Sequence, residues 1–195
     1  MFLATIIVIG AVMVKIAVVI VDHLQTSIKP QQEYAGLRVG TSPEEVIYIK
    51  GYPRDVLGGD IKEGEFKGLG QLVIELNAIE KGKSVRDYDD WVYDVHGDNQ
   101  VDLIVHFDKA AVVSIECITH GDGTRVGRCP SIAGIADGSS EQDVLAKFGS
   151  PDQVGLDGVT KRIRYPKLGI FFLLTKQRVY IVGVHNLRYR WGDKN

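Results

Sequence analysis

The sequence predicts an α+β fold: an N-terminal single transmembrane helix followed by two tandem αβββ repeats, each a helix plus an antiparallel meander. Two observations carry this expectation. The first is an echo: "VGTSPEEVIYIKGYPRDV" (39–56) aligns without a gap on "DGSSEQDVLAKFGSPDQV" (137–154). Gly40, Ser42, Val46, Gly51, Pro53 and Val56 recur as Gly138, Ser140, Val144, Gly149, Pro151 and Val154, with Asp143 in the place of Glu45. Self-similarity at a fixed offset is the mark of a duplicated unit. The second is the opening run Met1 to Val21, apolar except for Lys15. Roughly 20 apolar residues suffice to cross a bilayer core as a helix.

In chain order, residues 1–22 form the expected anchor. Lys15 lies close enough to Asp22 for its stem to carry the ammonium toward the headgroups, or it meets a polar partner within the bilayer. A cleaved signal peptide fits less well, since no Lys or Arg precedes Lys15 and the apolar run exceeds the usual h-region. Residues 23–39 are polar, aperiodic and read as a linker.

The first repeat spans 40–118. Thr41 or Ser42 caps a helix, Pro43 suits its first turn, and Glu44 and Glu45 favour its positive end. Gly51 ends the helix and Pro53 keeps it from resuming. The strands "DWVYDV", "VDLIVHF" and "AVVSIECI" follow, after an insert (57–90) in which "GQLVIELNAIE" reads equally as strand or short helix. A connector (119–135) leads to the second repeat (136–188), which has the same devices: Ser139 or Ser140, Glu141 and Asp143, Gly149 and Pro151. Its strands are "KRIRYP", "LGIFFLLT" and "RVYIVGV". Val46, Ile49, Val144, Leu145 and Phe148 give the helices an apolar side. Residues 189–195 are a tail.

Composition narrows the chemistry. A formal charge of −2 with scattered basic residues gives no electrostatic case for nucleic acid. The histidines lack metal-ligand spacing, with His96 and His120 in "HGD" turns and His106 in a strand. "RDYDDWVYD" lacks the ladder of a calcium loop, and no GxSxG elbow occurs. No cofactor or metal is expected, and no catalytic residue is assigned. Trp91, Tyr93, Tyr165, Phe171 and Tyr180 are candidate protein-binding aromatics, with core filling as the default reading, since one face of each sheet must fill the core. Cys117 and Cys129 are close enough in sequence to close a disulfide across a Gly-rich loop, or are two thiols in a reducing compartment.

The line Gly-x-Ser-x-x-(Asp/Glu)-Val, then Gly-x-Pro, followed by a meander, resembles the SmpA/OmlA (BamE-like) family. In tandem it is similar in architecture to the β-lactamase inhibitory protein fold. The resemblance covers 40–56 with 91–118, and 138–184. Here an apolar N-terminus stands where BamE carries a lipid-modified cysteine. The resemblance implies a non-catalytic protein-binding module at the bacterial cell envelope, an accessory subunit of a membrane complex or of outer-membrane assembly. The alternative is an inhibitor-like or sensing module that binds a soluble periplasmic protein. It implies protein partners in the envelope, membrane attachment through 1–22, an inner-membrane single-pass protein with a periplasmic body, and a Cys117–Cys129 bond. Lys29 and Arg38 just after the span favour a cytoplasmic body instead. The oligomeric state is left open.

Overall fold

The computed structural model describes residues 29–57, 76–77, 79, 82–95, 97, 102–119 and 128–187. The expected anchor with Lys15, most of the insert, part of the connector, the "HGD" histidines and the tail lie outside the described residues.

A two-residue hairpin, β1 (Glu33–Tyr34) and β2 (Leu37–Arg38), precedes helix α1 (Pro43–Lys50). Strands β3 (Asp55–Leu57) and β4 (Leu76–Asn77), a 3₁₀ turn (Val85–Asp87), β5 (Asp90–Tyr93), β6 (Leu103–Asp108) and β7 (Ala111–Ile118) follow. Helix α2 (Glu141–Phe148) then leads into β8 (Gln153–Asp157), β9 (Thr160–Tyr165), β10 (Ile170–Thr175) and β11 (Arg178–His185).

The expected fold class is corrected by this architecture. Among the described residues the chain is mainly β, with two eight-residue helices beside a nine-stranded sheet of order β4-β3-β5-β6-β7-β11-β10-β9-β8. Every adjacent pair is antiparallel. The expected three-stranded units are not what forms. The residues after each Gly-x-Pro, read as a stop, become strands β3 and β8. The two halves then join edge to edge where Ile181 pairs with Ile118 and His185 with Ser114. Joining removes an open edge from each half, which a separate three-stranded unit would leave exposed. Among the described residues no helix is long and apolar enough to cross a membrane. Neither a transmembrane helix nor an SmpA/OmlA-like tandem arrangement is supported by this β-rich sheet.

Local chemistry explains the elements. Ser42 Oγ accepts from Glu45 N at 3.3 Å, and Ser140 Oγ accepts from Asp143 N at 3.2 Å, satisfying helix donors that have no intrahelical partner. Asp143 returns the bond by accepting from Ser140 N at 2.8 Å. The links Lys109–Ala110 and Lys176–Gln177 take positive φ at both residues, the backbone twist a tight hairpin requires. Tyr93 Oη donates to Gly51 O at 3.3 Å and Tyr165 Oη to Gly149 O at 2.9 Å, so each helix end is fastened to the sheet by a tyrosine.

The helix-bearing face holds the larger core. Trp91 packs against Phe107 with ring centroids 4.5 Å apart and planes tilted by 53°, while its Nε1 donates to Val85 O and Tyr88 O. Phe148 of α2 meets Tyr165 and Phe172. The opposite face carries a smaller cluster of Leu57, Val92, Ile104, Ile118, Phe171, Leu173 and Ile181.

Candidate functional site

The candidate aromatics divide sharply. Trp91, Tyr93 and Tyr165 belong to the helix-side core and Phe171 to the opposite cluster, all buried; Tyr180 is half-buried and hydrogen-bonded to Thr160. Burial removes the first four as contact residues. The sheet is closed on both faces at its centre, so period two no longer separates core from surface.

The exposed aromatics are elsewhere. Tyr48 is 90 % exposed, Tyr52 71 % and Ile49 44 %, all on the outer side of α1 or just past its end. Ile49 also lines a groove of about 390 Å³, together with Leu37, Val39, Thr41 and Glu45. The rim holds the Arg38–Glu33 ion pair, in which Arg38 Nε donates to Glu33 Oε1 at 2.9 Å. Tyr48 and Tyr52 lie outside the lining of that groove, and exposed tyrosines are common anchors of a protein contact.

The second helix supplies an internal control. In the ungapped alignment, Tyr48, Ile49 and Tyr52 correspond to Ala146, Lys147 and Ser150, all exposed. The caps, the Tyr–Gly fastenings and the buried Val46 and Val144 are shared. A scaffold that stands equally well with Ala, Lys and Ser does not require Tyr, Ile and Tyr. Comparing the two helices position by position reveals this signal, which the search for aromatics in strands missed. Ile49, expected on the apolar side of its helix, is part of the exposed set.

Cys117 and Cys129 form a disulfide, with Cα atoms 5.6 Å apart. It ties the end of β7 to the connector. Asp137 accepts from Cys129 N at 3.0 Å, and Arg128 Nε lies 3.4 Å from Asp102, whose other oxygen accepts from Val95 N at 3.0 Å. Tyr34 donates to Pro130 O at 2.9 Å, and burial, then Asp137, raise its phenol well above the usual range. Closing a loop of this size contributes about 3 kcal/mol by loop-closure entropy.

His106 is the strongest electrostatic feature. Its Nδ1 lies 2.7 Å from Asp90 and its Nε2 3.0 Å from Glu116. Burial alone would lower its pKa, but the two carboxylates outweigh it and push it up to about 10. A doubly bound imidazolium has no lone pair to act as a base, so the geometry is a clamp across β5, β6 and β7. Ser114 Oγ, one strand over, donates to Val184 O at 3.0 Å. Among the described residues no group of three or more His, Cys, Asp or Glu is placed to hold a metal ion.

No family model matches the chain, and no curated protein matches it. Among solved structures, it is similar to a DUF4309 family protein (YjgB) from Bacillus subtilis subsp. subtilis str. 168, at 15 % identity and a TM-score of 0.47, over 85 % of this chain and 91 % of that one.

Proposed function

We propose that this chain is a non-catalytic protein-binding module of the bacterial cell envelope, its body outside the cytoplasm and its contact surface the outer side of α1. The observation that carries the reading is the set Tyr48, Ile49 and Tyr52, exposed where the matching helix has Ala146, Lys147 and Ser150. Tyrosine supplies large contact area at low entropic cost, and truncation of such anchors commonly removes about 2 kcal/mol or more of binding. The Cys117–Cys129 bond supports an oxidising compartment, where disulfides persist. The ion pairs of His106 with Asp90 and Glu116 engage both ring nitrogens, which leaves that histidine no free nitrogen to serve as a base.

The test is site-specific photo-crosslinking of the full chain in intact cells, with the photoreactive residue at position 52 or at position 150. A discrete adduct from position 52, absent from position 150 and lost on Tyr48→Ala, is the expected result. Equal labelling from both positions rules the reading out.

A further inference from the structure

The edge strand β8 is unlike the other long strands. All five of its residues are exposed, with Val154 at 54 % and Leu156 at 77 %. Among the described residues no strand pairs with its outer side, and its register with β9 runs unbroken from Gln153–Arg164 to Asp157–Thr160. Of the usual defences of an edge it has only the charge of Asp157 at its turn end, with no lysine, no internal proline and no bulge. The opposite edge ends in the two-residue β4.

The hairpin geometry shows which backbone groups face outward. Gly158, with φ of 57°, opens a two-residue turn, so Asp157–Thr160 is the closing, hydrogen-bonded pair. Bonded and non-bonded pairs alternate in an antiparallel ladder. Residues 153, 155 and 157 therefore direct their N–H and C=O toward β9, and Val154 and Leu156 direct theirs outward.

We infer that β8 pairs antiparallel with β8 of a second copy, about a twofold axis through Gly155. In this register the outward groups of Val154 bond those of the second copy's Leu156, and the reverse, so every outward group is satisfied. On the helix-bearing side, marked by buried Ile163 opposite Val154, the two valines and two leucines form one apolar patch. On the other side Gln153 faces the second copy's Asp157, an amide against a carboxylate, with Arg164 next in line beside Gln153. A parallel in-register pairing would set Asp157 beside its own copy. Pro151 and the turn at Gly158 bound the strand and keep the register from slipping. Gly155 occupies the close, non-bonded position on the axis. A second copy is therefore the partner this edge matches best. The pairing buries less than the ~800 Å² per partner of a standard interface, so it is reversible and concentration-dependent.

Register-specific crosslinking of the full chain tests this. Gly155 has room for a side chain, a Cβ there meeting only Arg162 Cβ at 3.9 Å. In the inferred pairing the two thiols introduced by Gly155→Cys stand on residues about 4.5 Å apart by Cα, within disulfide reach. Both native cysteines are already bonded to each other and do not compete. Gln153→Cys places its thiols on the order of 13 Å apart. Under mild oxidation Gly155→Cys is expected to form a disulfide-linked homodimer at least about tenfold faster than Gln153→Cys, the gain of a held geometry. Adding Leu156→Pro, which removes an outward N–H but no bond to β9, is expected to abolish that advantage with an unchanged circular dichroism spectrum. Equal rates for the two variants, survival of the advantage in the presence of Leu156→Pro, or capture of a different protein by the thiol at position 155 in place of a second copy would each overturn the inference.

Discussion

The two halves of the sheet are built on the same hydrogen bonds and differ in what those bonds support. Gly40 N to Val112 O at 2.7 Å has its counterpart in Gly138 N to Val179 O at 2.8 Å, and Val112 N to Thr41 O in Val179 N to Ser139 O, both at 2.9 Å. Each half has a register shift just before its last hairpin turn, at His106/Phe107 and at Leu173/Leu174. Aligning these shifts sets His106 opposite Leu173 and Glu116 opposite Gly183. The first half thus closes its helix-free face with an ionic clamp, the second with apolar packing of Phe171 over Gly183, where a Cβ would come within 2.3 Å of the ring. The outer helix faces differ in the reverse sense: aromatic in the first half, small and polar in the second. The lesson is that the framework common to the two halves tolerates either chemistry at these places. Departures between the halves are therefore informative about role, and the shared residues about fold.

The clamp is the difference with the largest expected effect. Replacing His106 by the second half's residue, His106→Leu, leaves buried Glu116 and half-buried Asp90 without their cation and should cost about 3 kcal/mol in chemical denaturation. Adding Glu116→Gln should recover part of that loss. No recovery would mean that packing, not charge, sets the cost.

The same clamp sets a pH dependence. The folded-state pKa of His106, about 10, lies above the ordinary 6.5, so its stabilisation is complete below about pH 6.5 and is lost as pH rises toward 10. Denaturation midpoints of the wild type should fall across that window, and those of the His106→Leu, Glu116→Gln variant should fall less. Parallel curves would remove the clamp from the account.

The smallest effect sharpens the comparison at the caps. Ser140→Ala should cost about 1 kcal/mol, and Ser42→Ala less, because the Ser140 hydroxyl both accepts from Asp143 N and donates to Asp143 Oδ2 at 2.6 Å, and both bonds go with it. Thermal melts of the two single variants give the order directly.

Much of this was legible in the sequence. Ser42 and Ser140 as caps, Gly51 and Gly149 as stops and the strands around Val105, Ile115, Phe172 and Val182 follow from local chemistry. Strands β3 and β8 did not, since Pro53 and Pro151 read as punctuation and the residues after them are too few to show a period. The joining of β7 to β11 depends on residues far apart in sequence, such as Cys117 and Val182, and no local pattern records it. Trp91, Tyr93, Tyr165 and Phe171 could not be assigned a face from sequence because strands covered on both faces lose the alternation that marks an outside. Tyr48 and Tyr52 stood in plain view, but their meaning emerges only against Ala146 and Ser150.

The central claim is that α1, not α2, is the contact surface. The most direct measurement is a binding titration of the crosslinked partner against two full-chain variants that exchange the outer residues. One is Tyr48→Ala with Tyr52→Ser; the other is Ala146→Tyr with Ser150→Tyr. The account predicts at least about a tenfold loss of affinity for the first and no loss for the second. Unchanged affinity in the first variant would contradict it.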